Sequence, residues 1–123
     1  MSKFVRAVNV MISNSGLIKN VIKGSHEGEL FFKYDYKHSW SIWKGEDNSI
    51  FMSYYPPDQD IQVTARVIDL VGVQCITYSS RELGTREARD SMAELYQVVS
   101  EKAYGMDEVL DDIIDTDPDP LPF

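Results

Sequence analysis

The residues best suited to acid–base chemistry are the two histidines, His26 and His38, and the carboxylates near them in sequence, Glu27, Glu29 and Asp35. Such catalysis needs a positioned proton donor and a positioned proton acceptor. Both histidines fall in predicted loops or turns, where polar side chains are usually solvated. No nucleophile-elbow, zinc-protease or phosphate-loop motif accompanies them. The sequence therefore predicts a non-enzymatic protein, unless these side chains meet in a cleft.

A metal or cofactor site is not predicted either. Cys75 is the only cysteine, which excludes a cysteine-rich metal site and an intrachain disulfide. Nothing in the spacing of the two histidines sets the geometry that a metal needs. A lone thiol favours a reducing compartment, and no apolar run approaches the about 18 residues that span a bilayer. We therefore expect a cytoplasmic protein without membrane contact.

Nine aromatic residues lie between positions 31 and 55 and are interleaved with lysines. Rings stack on unpaired bases and ammonium groups contact phosphates, so this pattern is typical of surfaces that bind single-stranded nucleic acid. The alternative is that the rings form the core beneath a helix. Strand alternation allows both, with one set of rings facing inward and the other outward. The residues predicted to bind nucleic acid are Phe31, Lys33, Lys37, Trp40, Trp43, Lys44 and Tyr55.

The last nine residues combine spaced aspartates with a terminal aromatic ring. This segment resembles the acidic tail of bacterial single-stranded-DNA-binding proteins, which ends in aspartates followed by Ile-Pro-Phe. It differs in having leucine for isoleucine and prolines between the acids. The resemblance implies docking on another protein, with the ring in an apolar pocket and the acids along a basic ridge. The alternative is a frayed, solubilising end. The predicted partner-binding residues are Asp115, Asp117, Asp119, Leu121, Pro122 and Phe123.

Charge is distributed unevenly along the chain, whose net charge is −8. Residues 1–44 carry seven lysines and arginines against three acids, whereas residues 101–123 carry one lysine against eight acids. Such asymmetry is typical of an acidic interaction segment. Two functions are consistent with it. The first is single-stranded nucleic-acid binding with a protein-docking tail. The alternative is an acidic interaction domain, such as an immunity protein, a phage-encoded inhibitor or an adaptor, that binds a basic protein partner.

The elements that position these residues follow from hydrophobic periodicity. Segments 3–12, 17–23, 29–36, 40–43, 50–55, 61–67 and 73–78 are rich in β-branched and aromatic residues and are predicted to be strands. Apolar residues spaced by four, three and four positions predict an amphipathic helix from Thr85 to Tyr104, ended by Gly105. Asp107 is a candidate cap for a second, short helix through Ile114. Its predicted apolar side comprises Val109, Leu110, Ile113 and Ile114.

The 123 residues suit one domain. The predicted fold class is α+β, an antiparallel β-meander of five to seven strands with a C-terminal amphipathic helix packed on one face. Residues 1–114 are predicted to form the domain and residues 115–123 a flexible acidic tail. An exposed edge strand of such a meander is a candidate for pairing across a homodimer.

Overall fold

The described residues adopt an α+β fold with an antiparallel sheet. The structure, a computed structural model, describes residues 2–56 and 75–117. In chain order these residues form α1 (Lys3–Ser13), β1 (Ile18–Lys23), β2 (Leu30–Tyr34), β3 (His38–Lys44), β4 (Ile50–Tyr55), β5 (Ile76–Ser79), α2 (Ser80–Leu83), α3 (Arg86–Ala103) and α4 (Met106–Ile114). The α+β class and the antiparallel meander are therefore confirmed. The predicted strand at 61–67 lies outside the described residues.

The five described strands pair in the order β1-β2-β3-β4-β5, each antiparallel to its neighbour. Phe32 lies opposite Trp40, and Ile42 lies opposite Met52. Directly opposed residues, and every second residue along a strand, share one face of a sheet. These four side chains therefore belong to one face, which is called the helix face because the helices pack against it.

The first segment, predicted to be a strand, is the helix α1, so that prediction is wrong. Its Val and Ile content favours a strand, but the residues that it buries, Val5, Val8 and Met11, are three positions apart. That spacing places them on one side of a helix. Ser2 caps the helix, because its hydroxyl accepts a hydrogen bond from the Val5 amide at 3.1 Å. Packing against the core outweighs the intrinsic preference of β-branched residues.

Helix α3 agrees with the predicted amphipathic helix. Thr85 is its N-cap, and the threonine hydroxyl accepts a hydrogen bond from the Ala88 amide at 3.0 Å. The predicted apolar stripe is buried against the helix face of the sheet. The core comprises Val8, Met11, Ile18, Leu30, Phe32, Ile42, Ile50, Met52, Met92, Leu95 and Val99.

Helix α3 ends at a turn that redirects the chain into α4. Gly105 has φ of 62°, a left-handed conformation that glycine adopts without steric cost. Gly105 is also the N-cap of α4, so the predicted capping role of Asp107 is wrong, and Asp107 lies in the first turn instead. Between residues 2 and 56 and between 75 and 117, no helix has the length and apolar character to cross a membrane.

Candidate functional site

Two aromatic residues predicted to stack on bases are in the interior. Phe31 and Tyr55 are 0% and 1% exposed, and their ring centroids lie 5.5 Å apart. The Tyr55 hydroxyl shares a hydrogen bond of 2.9 Å with the hydroxyl of Ser41. A base can stack only on a ring face that solvent reaches. The prediction that these two residues bind nucleic acid is therefore wrong, because both belong to a small buried cluster on the sheet face opposite the helices.

The two tryptophans lie on opposite faces of the sheet. Trp40 is on the helix face, half-buried, with its ring centroid 5.2 Å from Tyr54 and 6.0 Å from Phe4. Trp43 is on the other face and stacks on Phe51 at 5.4 Å with an interplanar angle of 9°. The predicted residues therefore do not form one aromatic surface.

The lysines predicted to bind nucleic acid are likewise separated from one another. Lys33 is partly exposed on the same face as Trp43. The Lys44 ammonium group lies 5.6 Å from the ring centroid of Tyr96 in α3. Lys37 is exposed at the β2–β3 turn, and its Nζ lies 3.8 Å from a carboxylate oxygen of Asp35. These three cations point into different surroundings, so they do not form a single phosphate-binding track.

The acid–base candidates contain one unusual group, the buried carboxyl of Glu29, which is 6% exposed. Burial raises its pKa, and the nearby charge of His26 and a hydrogen bond from the His26 backbone oppose that rise. The carboxyl lies so close to Gly24 that a Cβ there would collide with it. Among the described residues, no group of three or more His, Cys, Asp or Glu side chains is arranged to hold a metal ion.

The raised pKa of Glu29 has a consequence for stability. A carboxyl whose pKa is higher in the folded than in the unfolded state stabilises the fold when it is protonated, and this contribution is lost as pH rises through the folded pKa. We therefore expect Glu29→Gln, which stays neutral, to gain stability relative to the native chain as pH rises from about 4, near the unfolded pKa, towards neutrality. Urea unfolding of both proteins across this range measures the difference. A difference independent of pH would contradict the expectation.

Helix α4 presents the most unusual surface in the described parts of the chain. It buries none of its nine residues. Val109, Leu110, Ile113 and Ile114 are 42%, 48%, 60% and 66% exposed. On a helical projection of about 100° per residue, these four lie on one side, which is called the apolar face of α4.

Apart from Met106, the remaining residues of α4 are acidic. Its polar side carries Asp107, Glu108, Asp111 and Asp112, and Asp115 follows directly. No lysine, arginine or histidine occurs between Gly105 and Asp117. The predicted tail residues Asp115 and Asp117 are exposed. The predicted contacts of Asp119, Leu121, Pro122 and Phe123 fall outside the described residues.

A cleft of about 480 Å³ lies where α4 begins, between strand β1 and the end of α3. Both charge signs occur in its walls, with Lys19 and Lys102 opposed by Glu101, Asp107 and Glu108. Apolar side chains also line it. The remaining lining residues are Ser15, Ile18, Asn20, Val21, Val98, Gly105 and Met106.

The sequence predicts part of this site. The apolar side of α4 follows from its periodicity, but periodicity does not tell whether that side is covered. The cleft depends on how the end of α3 meets β1, and no local signal in the sequence marks Lys19 or Lys102 as neighbours. Near the end of α3, the Lys23 ammonium lies 4.5 Å from the ring centroid of Tyr104.

Comparison of the chain with protein-family models, with curated proteins and with solved structures gives no match.

Proposed function

We propose that the protein is a non-enzymatic interaction domain that presents helix α4 to a basic protein partner. The observation that carries this proposal is the exposure of Val109, Leu110, Ile113 and Ile114 at 42–66% along one side of a nine-residue helix. Isolated surface aliphatic residues are common, but a contiguous apolar surface rimmed by polar residues marks interaction sites. The apolar face of α4 is such a surface.

The periodicity of the exposed residues supports one recognition mode. Val109 and Ile113, and likewise Leu110 and Ile114, are four positions apart, so they form two adjacent rows along the helix. An amphipathic helix with this pattern inserts its apolar side into a hydrophobic groove. Because two rows are exposed, the groove must be wide enough to contact both.

The charge of α4 specifies the rim of that groove. Asp107, Glu108, Asp111 and Asp112 flank the apolar face, and no basic side chain of the helix balances them. Complementary charges on a partner accelerate association and favour the correct orientation. The partner is therefore a protein whose apolar groove is bordered by lysine or arginine. Asp115 and Asp117 follow the helix in sequence and add two further acids.

Site-specific photo-crosslinking in the cells that make the protein tests the proposal. A photoreactive phenylalanine at position 110 is expected to yield an adduct with a basic protein, whereas the same group at Ala93, exposed on α3, yields none. Asp111→Lys with Asp112→Lys is expected to remove the adduct, because the charge complementarity is reversed. Equal adducts at both positions, or an adduct that survives the charge reversal, would contradict the proposal.

Single-stranded nucleic-acid binding remains a second candidate because Trp43, Phe51 and Lys33 share the sheet face opposite the helices. Trp43 and Phe51 are partly exposed and stack on each other, and a base that binds here is expected to extend this stack. The variant Trp40→Phe leaves Trp43 as the only tryptophan, so that excitation selective for tryptophan reports on this site. Fluorescence quenching by a mixed-sequence oligonucleotide that weakens with added salt would support this candidate, and a flat titration at low salt would eliminate it.

A further inference from the structure

We propose that the cleft beside β1 receives helix α4 of a second copy of this chain, so that two copies form a reciprocal, two-fold symmetric dimer. The inference rests on the proposed role of α4 as an interaction surface and adds a way of regulating that surface. In the dimer the apolar face of α4 is covered, and a foreign basic partner must compete for it.

The cleft has the chemistry that α4 requires. Lys19 on β1 and Lys102 at the end of α3 provide two cations beside one α3 acid, Glu101, and Val21 and Val98 provide partly buried apolar walls. A volume of about 480 Å³ accommodates several aliphatic side chains. Ile113 and Ile114, the two most exposed residues of the apolar face, are the side chains that we expect to enter it.

The arrangement of charge within one copy favours a two-fold contact. The basic residues of the cleft adjoin the first turn of α4, where Asp107 and Glu108 line the same cleft, and the acidic helix runs onward from there. A two-fold interface pairs one surface patch with itself. When a patch has a basic half next to an acidic half, rotation about an axis between the halves places each half on its opposite. Both copies then bury α4 and satisfy its charges.

The reciprocal contact also enlarges the area that two copies bury. A single nine-residue helix on a groove covers less than the about 1,200–2,000 Å² of total surface that stable interfaces bury. Two helices in two clefts double the contact. A reciprocal contact therefore buries about twice the area of a one-sided contact, which favours the symmetric arrangement.

Pairing of edge strands is a less suitable way for two copies to associate. Strand β1 is the outermost described strand on its side of the sheet. Its register shifts between Lys19 and Ile22, and Asn20 has φ of 56°. Bulges and lysines protect edge strands from pairing with another chain. The homodimer predicted from an edge strand is therefore replaced here by side-chain docking through α4.

Analytical ultracentrifugation of the full chain, from low micromolar to sub-millimolar concentration at low salt, tests the inference. The native chain is expected to show a reversible monomer–dimer equilibrium. One variant, Lys19→Glu with Lys102→Glu, makes the basic half acidic. A second variant, Asp111→Lys with Asp112→Lys, makes the acidic half basic. Each variant alone is expected to have a dimer dissociation constant raised at least about tenfold, because like charges then face each other.

An equimolar mixture of the two variants is the decisive sample. Each α4 then meets a cleft of opposite charge, so a heterodimer is expected where neither variant dimerises alone. The control variant, Lys3→Glu with Lys37→Glu, has the same charge change on exposed residues outside the patch and is expected to dimerise like the native chain. Circular dichroism of every variant verifies the fold.

Three results would overturn the inference: a native chain that stays monomeric, variants that dimerise normally, or a mixture that stays monomeric. None of these results contradicts the proposed function, which is tested by crosslinking of α4 to a foreign protein. A foreign adduct together with a monomeric chain therefore rejects the dimer alone. An adduct only between two copies supports the dimer and rejects the foreign partner.

Discussion

Substitution of alanine for Phe31 is expected to lower the free energy of unfolding by about 3–5 kcal/mol, the usual cost of removing a buried aromatic ring. The ring is 0% exposed and packs against Tyr55 on the sheet face opposite the helices. A domain of this size is stable by about 5–15 kcal/mol in total, so the variant loses a large share of its stability. Urea unfolding followed by circular dichroism measures the loss.

Phe51→Ala is the matched control for this prediction. It removes the same ring from the same sheet face, but Phe51 is only partly buried. The free energy of unfolding is therefore expected to fall by less than in Phe31→Ala. A stability loss at Phe31 that is no larger than the loss at Phe51 would contradict this expectation.

The sequence predicts the sheet because side chains alternate along its strands. Phe31 and Phe32 are adjacent in sequence, and their assignment to opposite faces follows from that alternation alone. The strand interpretation of 3–12 fails because Val and Ile occur in both strands and helices. Only the spacing of Val5, Val8 and Met11 distinguishes a helix from a strand here. That spacing favours a helix when another element, in this case α3, packs against those residues.

Burial is what the sequence leaves open at the candidate site. Phe31 and Tyr55 follow an outward-facing pattern and are nevertheless buried, whereas Ile113 and Ile114 follow a core-like pattern and are exposed. Alternation and helical periodicity identify a side of an element but not what covers it. Contacts between residues far apart in sequence decide that, as the cleft between Lys19 and Lys102 illustrates.

Polar substitution in the apolar face of α4 is expected to separate binding from stability. Leu110→Gln with Ile113→Gln removes two exposed aliphatic side chains, 48% and 60% exposed, and keeps the charge of the helix. Glutamine is a good helix former, and exposed substitutions usually change stability by less than about 0.5 kcal/mol. If these residues are anchors in a groove, each costs about 2 kcal/mol of binding or more. Affinity for the crosslinked partner should therefore fall at least about 100-fold.

Ile76→Gln provides the control for this separation, because Ile76 is 59% exposed, close to the value for Ile113, but lies on strand β5. The Ile76→Gln variant is expected to bind the partner like the native chain, because here glutamine replaces an exposed aliphatic side chain away from α4. Calorimetric titration with the partner and thermal unfolding are measured on all three proteins. Equal binding by the native chain and the α4 variant would mean that Leu110 and Ile113 do not contact the partner. If instead the α4 variant lost stability along with binding, the apolar face would be packing within its own chain.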